Sequence, residues 1–215
     1  MQYKAVIFDL DGVLVFTDKY HYLAWKSLAD RLGIPFSKED NDRLRGVSRE
    51  ESLDIILEKY RGEAISLQQK EEYLKEKNDI YRSSLGSMTG DDVSPMVRET
   101  LARLRQKGYL LAVGSSSKNT SYILERTGLT GAFDAVADGT MISRSKPDPE
   151  VFLKAAEFLE QNPSDCLVVE DADAGITAAH AAGMDVAAIG VATESDRADY
   201  NLSEFEDLIG ILVKE

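Results

Sequence analysis

Two aspartates separated by one residue, Asp9 and Asp11, follow directly on the apolar run Ala5-Val6-Ile7-Phe8 and are closed by Gly12-Val13. Side chains at i and i+2 after a strand point the same way. Carboxylates that close repel each other, and a shared cation relieves the repulsion. A hard dication with oxygen ligands fits, and Mg²⁺ suits phosphate chemistry. The same residues also fit a plain turn, with Gly12 permitting the bend. Acids recur at Glu170-Asp171 after Leu167-Val168-Val169, where Asp171 can complete a metal shell with Asp9 and Glu170 stands beside it. Asp173 reads as the N-cap of a helix carrying Ala174 to Ala182.

Two polar segments lie between these acids. Gly114-Ser115-Ser116-Ser117-Lys118-Asn119 joins a strand pattern to a helix pattern. Small hydroxyls and amides at a helix start form an anion site, ordinary serine capping is the alternative, and one serine can do both. Lys146-Pro147-Asp148-Pro149 sets a lysine before a loop stiffened by two prolines, the second able to begin a helix. From there Lys146 can reach a phosphate; a solvated surface lysine is the alternative. Upstream, Ser48-Arg49-Glu50-Glu51 has the S-x-x-E form of a capping box, so a helix is expected from Arg49. Arginine at a helix N-terminus is a strong dianion site, against a reading of surface capping only. His21 and Trp25, four apart, share a helix face, His21 as a structural or functional imidazole and Trp25 as packing or a pocket wall. Lys77 lies in the charged run 71–77 with Lys75, and spacing does not separate the two lysines.

Such residues need elements that bring them to one edge. Strand patterns fall at 5–8, 110–113, 135–137, 167–169 and 186–189, and helix patterns at 118–127, 150–160, 172–182 and 204–213. Alternation of this kind predicts an α/β fold, a parallel sheet with helices on both faces. Ligands of such sheets lie outside the carboxyl ends of the strands, where the polar motifs fall. Residues 18–32, 49–59 and 66–85 read as helices, Gly33 as a helix stop, and no strand pattern interrupts them. The expected organisation is a core of 1–15 and 89–215 with an all-helical insertion at 16–88, returning through the linker 86–90.

Composition sets the boundaries. The 215 residues are 43% hydrophobic and 29% charged, as in globular proteins, and no apolar run reaches the ~20 residues of a membrane span. The N-terminal apolar stretch is too short for a secretory signal. The net charge of −13 repels nucleic acid at long range and leaves small phosphorylated substrates open. One cysteine, Cys166, excludes an internal disulfide and sits in an apolar run as an expected buried thiol, in keeping with a reducing cytoplasm.

In this order the four core motifs resemble the haloacid dehalogenase superfamily of phosphotransferases, over the whole chain. Phe16-Thr17-Asp18, His21, Trp25, Arg45-Gly46-Val47-Ser48-Arg49, Ser52-Leu53 and Lys77-Asn78-Asp79 are similar to its β-phosphoglucomutase branch. So are Ser115, Ser117-Lys118-Asn119, Leu124-Glu125-Arg126 and Leu129-Thr130-Gly131. The resemblance implies a Rossmann-like core with a helical cap that opens and closes, and interconversion of β-glucose 1-phosphate and glucose 6-phosphate. β-Glucose 1,6-bisphosphate is then intermediate and primer, and Mg²⁺ the cofactor. Asp9 becomes the phosphorylated nucleophile and Asp11 the general acid/base. Mg²⁺ is held by Asp9, the Asp11 carbonyl, Glu170 and Asp171. Ser115 and Lys146 hold the transferring phosphate, and Arg49 the other. Ser116, Ser117 and Asn119 lie beside the core site, and His21 and Lys77 link cap closure to Asp11. Thr17, Trp25, Gly46, Val47, Ser48 and Ser52 complete the expected substrate contacts. Partners are small sugar phosphates, with no nucleic acid or membrane, and a monomer is expected. Residues 94–96 read Ser-Pro-Met where many relatives have Pro-Gly, and Ser116 stands where a small apolar residue is common. A phosphatase acting on a small sugar phosphate is the alternative enzyme, and a non-catalytic phosphosugar-binding module the alternative class.

Overall fold

The structure is a computed structural model that describes residues 3–44 and 47–213. Its chain divides into two compact units, Met1–Phe16 with Thr89–Glu215, and Thr17–Met88.

β1 (Ala5–Phe8) opens the first unit, and the chain then enters the second, where the described residues form α1 (Asp18–Arg31), α2 (Lys38–Asp42), α3 (Arg49–Leu57) and α4 (Leu67–Leu85). It returns to α5 (Pro95–Gln106), β2 (Leu110–Gly114), α6 (Thr120–Arg126), β3 (Ala135–Ala137), α7 (Glu150–Phe158), β4 (Cys166–Glu170), α8 (Asp173–Ala181), β5 (Asp185–Ile189), β6 (Tyr200–Leu202) and α9 (Leu208–Leu212). All strand pairings are parallel, in the order β3-β2-β1-β4-β5-β6. β1 and β4 are buried at every residue, which is why both run apolar without alternation until Glu170 ends β4. One core cluster joins the sheet to α7 and α8 through Ile7, Phe152, Val168 and Ile176, while the Phe8 ring stacks on Phe205 at 5.7 Å. Cys166 is buried, and burial, with the Asp165 charge, pushes its thiol up to about 11.

The helical unit has its own core of Trp25, Leu28, Ile34, Phe36, Leu44, Leu53 and Ile56. α1 stops at Leu32, followed by Gly33 at φ +68°. Ser48 and Ser66 each begin a helix with a complete capping box, partnered by Glu51 and Gln69. No helix of the described residues is long and apolar enough to cross a membrane.

The elements depart from the sequence expectation in five places. α5 was not expected, although Ser94 accepts the Val97 N–H at 3.2 Å, Pro95 occupies the first turn, and Val97, Leu101 and Leu104 make a buried stripe. β6 has three residues and forms by pairing with β5 alone, and α2, five polar residues, is too short for periodicity to mark. The final helix is divided into a 3-10 turn, Phe205–Asp207, and α9. α6 begins at Thr120 rather than 118, because Ser115 and Ser117 fold the preceding residues into tight hydroxyl-closed turns.

Candidate active site

Sheet register builds the site. Phe8 lies opposite Val113 of β2 and Val169 of β4, so the next residue, Asp9, comes level with Gly114 and Glu170 at the carboxyl edge. β1 is also where the strand order turns, β2 lying on one side and β4 on the other, the usual place for a ligand in an open α/β sheet.

At that edge the carboxylates of Asp9, Glu170 and Asp171 each offer an oxygen, the three lying within 4.8 Å of one another, and all three residues are buried. Lys146 Nζ bridges two of them, 2.5 Å from both Asp9 Oδ1 and Glu170 Oε1. Lys146 is itself buried, and its ammonium lies 4.6 Å from the centroid of the Phe152 ring beneath it. Burial disfavours the lysine's charge, but the Asp9 and Glu170 carboxylates outweigh it and hold its pKa above the ordinary value. Burial pushes Glu170 up, against the pull of Lys146. Glu170 Oε2 in turn accepts the Asp171 and Ala172 N–H groups at 2.8 and 3.0 Å.

Two glycines make room for these acids. Gly12 has φ +86°, and a Cβ there would lie 2.0 Å from Asp171 Oδ2; one on Gly175 would lie 1.9 Å from Glu170 Oε1. Fully ionised, Asp9, Glu170, Asp171 and Lys146 sum to two negative charges, which a divalent cation neutralises. The donor set is all oxygen, the set that Mg²⁺ takes. The residues present therefore fit the expected metal. Asp11 adds no carboxylate to this group; it is half-buried, in a turn that pairs it with Val15.

Ser115 and Asn119 are buried beside the strand end. Ser115 Oγ accepts the Ser117 N–H and Ser117 Oγ the Asn119 N–H, each at 3.2 Å, and Thr120 Oγ1 donates to the Ser117 carbonyl at 2.9 Å. No serine caps α6: Asn119 takes the N-cap position, and its side chain makes no capping bond to the helix. The segment's polarity thus comes from consecutive serine turns rather than from a capped helix. Asp173 differs from expectation too: Ala172 holds the N-cap of α8, and Asp173 is an acid in its first turn.

In the helical unit, Lys77 Nζ lies 3.0 Å from His21 Nδ1, and its ammonium sits 4.6 Å from the Trp25 ring and 4.7 Å from the Tyr81 ring. Trp25 is a member of the buried core. Lys77 is buried and Lys75 exposed, which separates the two lysines that spacing left equivalent. Burial, then the charges of Lys77 and Arg49, hold His21 well below its ordinary pKa. Arg49 is the first residue of α3, half-buried, with Val47 and Ser48 half-buried beside it and Ser52 buried one turn on. Thr17 is buried at the N-cap position of α1. Gly46 lies outside the described residues.

Sequence reasoning missed Phe152, Gly175 and Glu150. The apolar positions of α7 marked Phe152 only as core, and nothing local says that a lysine lies on it. Gly175, inside a helix, was the visible signal, because a helical glycine needs a packing reason. Glu150 accepts the N–H groups of Ser143 and Arg144 at 3.0 and 2.8 Å and so folds the segment before Lys146, which reaches Pro147 through a cis peptide.

The sheet, its order and its buried acid edge define a class. The chain belongs to the haloacid dehalogenase-like hydrolase family, whose model matches residues 3–183. It is 39% identical over 213 residues to the β-phosphoglucomutase of Bacillus subtilis (strain 168), covering 99% of this chain and 94% of that one. A crystal structure of β-phosphoglucomutase from Clostridium difficile superposes with a TM-score of 0.89 at 36% identity, covering 96% of this chain and 93% of that one. The chain is also 31% identical, over 85% of its length and 82% of the relative's, to a phosphorylated carbohydrates phosphatase of Thermotoga maritima.

Proposed function

We propose that this chain is a Mg²⁺-dependent mutase that interconverts β-glucose 1-phosphate and glucose 6-phosphate through a phosphorylated Asp9. The observation that carries the reading is the buried contact of Lys146 with Asp9 and Glu170. The Lys146 ammonium holds the Asp9 carboxylate at the end of β1, where it can act as a nucleophile. An Asp9 oxygen attacks one phosphorus of the bisphosphate as the bond from that phosphorus to the sugar oxygen breaks, releasing a sugar monophosphate. Asp11 gives the leaving oxygen its proton. In the return step Asp11 takes the proton of the other sugar hydroxyl, which attacks the aspartyl phosphate. β-Glucose 1,6-bisphosphate is the intermediate and the primer. Lys146 and the Ser115 hydroxyl hold the transferring group. Asp9, Glu170, Asp171 and the Asp11 carbonyl would hold Mg²⁺, which would supply positive charge for the transferring oxygens.

A bisphosphate needs a second anion holder, and Arg49 at the capped start of α3 is the side chain this reading assigns to it. His21, Lys77, Trp25, Thr17, Val47, Ser48 and Ser52 are assigned to the sugar side of the same task, Ser117 and Asn119 to the phosphate side. A cytoplasmic monomer belongs to the same reading. The similarity to the Bacillus mutase favours transfer between sugar hydroxyls over transfer to water, while the likeness to the Thermotoga phosphatase keeps hydrolysis as the second reading.

Phosphorus NMR of β-glucose 1-phosphate with enzyme, Mg²⁺ and catalytic bisphosphate separates the two. The mutase yields glucose 6-phosphate and depends on the bisphosphate. Accumulation of inorganic phosphate at the same rate with or without the primer would replace it by the phosphatase.

A further inference from the structure

Lys146 reaches Asp9 from an irregular segment between β3 and α7, and two contacts fasten that segment. On its own helix, Glu150 accepts the Ser143 and Arg144 N–H groups and the Ser143 hydroxyl at 2.8 to 3.0 Å. Across the site, the Lys146 N–H donates to Ser116 Oγ at 3.3 Å. The residue after Lys146 is a proline without an N–H, so this bond is made at the last donor before the prolines.

Ser116 is fixed in its turn by the backbone that leaves β3. The Ser115 N–H donates to the Ala137 carbonyl, and the Gly139 N–H to the Ser117 carbonyl, each at 3.1 Å. Gly139 lies so close that a Cβ there would stand 2.2 Å from the Ser116 carbonyl oxygen. The Asp138 carboxylate braces this corner by accepting the Thr140 N–H and hydroxyl at 2.8 and 2.6 Å.

We propose that Ser116 is a positioning residue whose hydroxyl ties the Lys146 segment to the serine turns, so that ammonium and phosphate-holding hydroxyls move as one piece. This departs from the expectation that Ser116 contacts the substrate. Where an apolar residue stands at this position, the bond does not exist. Lys146 is then aimed by Glu150 and Phe152 alone. The kinetic part rests on the phosphoryl-transfer reading above; the structural part does not.

The test compares Ser116→Ala and Ser116→Thr with the wild type, the threonine retaining the hydroxyl. Hydrogen exchange of the Lys146 amide, followed by NMR on the Mg²⁺-loaded protein, should quicken about tenfold in the alanine variant and return in the threonine variant. Phosphorylation of Asp9 should slow about two- to tenfold in the alanine variant, the value of one hydrogen bond, with KM unchanged, and recover with threonine. Unchanged exchange at Lys146, or a raised KM at constant kcat, would overturn the proposal. If the chain turned over no sugar phosphate at all, the exchange result would still decide the role of Ser116, and only the proposed function would fall.

Discussion

Gly12 and Asp171 share one space: a side chain on the first would overlap the carboxylate of the second, with 2.0 Å between Cβ and Oδ2. The turn after β1 and the end of β4 approach this closely because residue 12 is glycine. Gly12→Ala should therefore displace Asp171 and adopt an unfavourable φ. We expect Mg²⁺ affinity to fall ~10–100-fold and stability by about 1–2 kcal/mol. Calorimetric titration with Mg²⁺ and urea unfolding measure the two, and unaltered affinity would show that Asp171 does not meet the ion.

Lys146 compensates two buried carboxylates, so its removal should cost more without metal than with it. Lys146→Met keeps the apolar stem over Phe152 and deletes the charge. In chelator the variant should lose ~3–5 kcal/mol, the cost of leaving buried charge unpaired. Saturating Mg²⁺ should return part of that loss by binding the folded state. Equal losses with and without Mg²⁺, from denaturant titrations, would separate Lys146 from the metal cluster.

How much of this could be read beforehand follows from which signals are local. The position of Asp9 was legible because four unbroken apolar residues, buried at each place, lead into it. The box at Ser48 was legible because its two partners are three residues apart. The bridge from Lys146 to Asp9 and Glu170 was not, since it joins three loops and depends on sheet register. Nor was the choice of Lys77 over Lys75, which rests on packing against Trp25 and Tyr81. α5 has a local Ser-Pro start, but its apolar stripe of Val97, Leu101 and Leu104 is spaced among charged residues and stands out little in the sequence. The tie between Lys146 and Ser116 spans thirty residues and leaves no pattern in the chain.

His21 should make folding stability depend on pH. Its folded pKa lies well below the ordinary 6.5, so above that value both folded and unfolded states are neutral and the residue adds no slope. Below it the unfolded chain binds a proton that the folded chain refuses, and stability falls as pH falls, by up to ~1.4 kcal/mol per pH unit. His21→Gln should flatten that part of the curve between pH 6.5 and 5. An unchanged slope in urea unfolding would mean that His21 accepts its proton in the folded state.

Arg49 separates transfer between sugar hydroxyls from transfer to water. A desolvated arginine–phosphate pair contributes ~1.5–3 kcal/mol. Arg49→Ala should lower mutase kcat/KM by roughly 10–150-fold. Hydrolysis of phosphorylated Asp9 should change far less, since water carries no phosphate to anchor. Intact mutase turnover in this variant would show that Arg49 does not hold the second phosphate.

Asp9 is the residue on which the proposed phosphoryl transfer rests. An aspartyl phosphate is an acyl phosphate, which borohydride reduces to the alcohol, turning that aspartate into homoserine. The enzyme should be mixed with Mg²⁺ and β-glucose 1,6-bisphosphate, reduced during turnover, digested and analysed by mass spectrometry. Homoserine is expected at residue 9, lost in Asp9→Asn and absent when Mg²⁺ is chelated. Homoserine at Asp11 or Asp171 instead, or none at residue 9 while glucose 6-phosphate accumulates, would contradict transfer through Asp9.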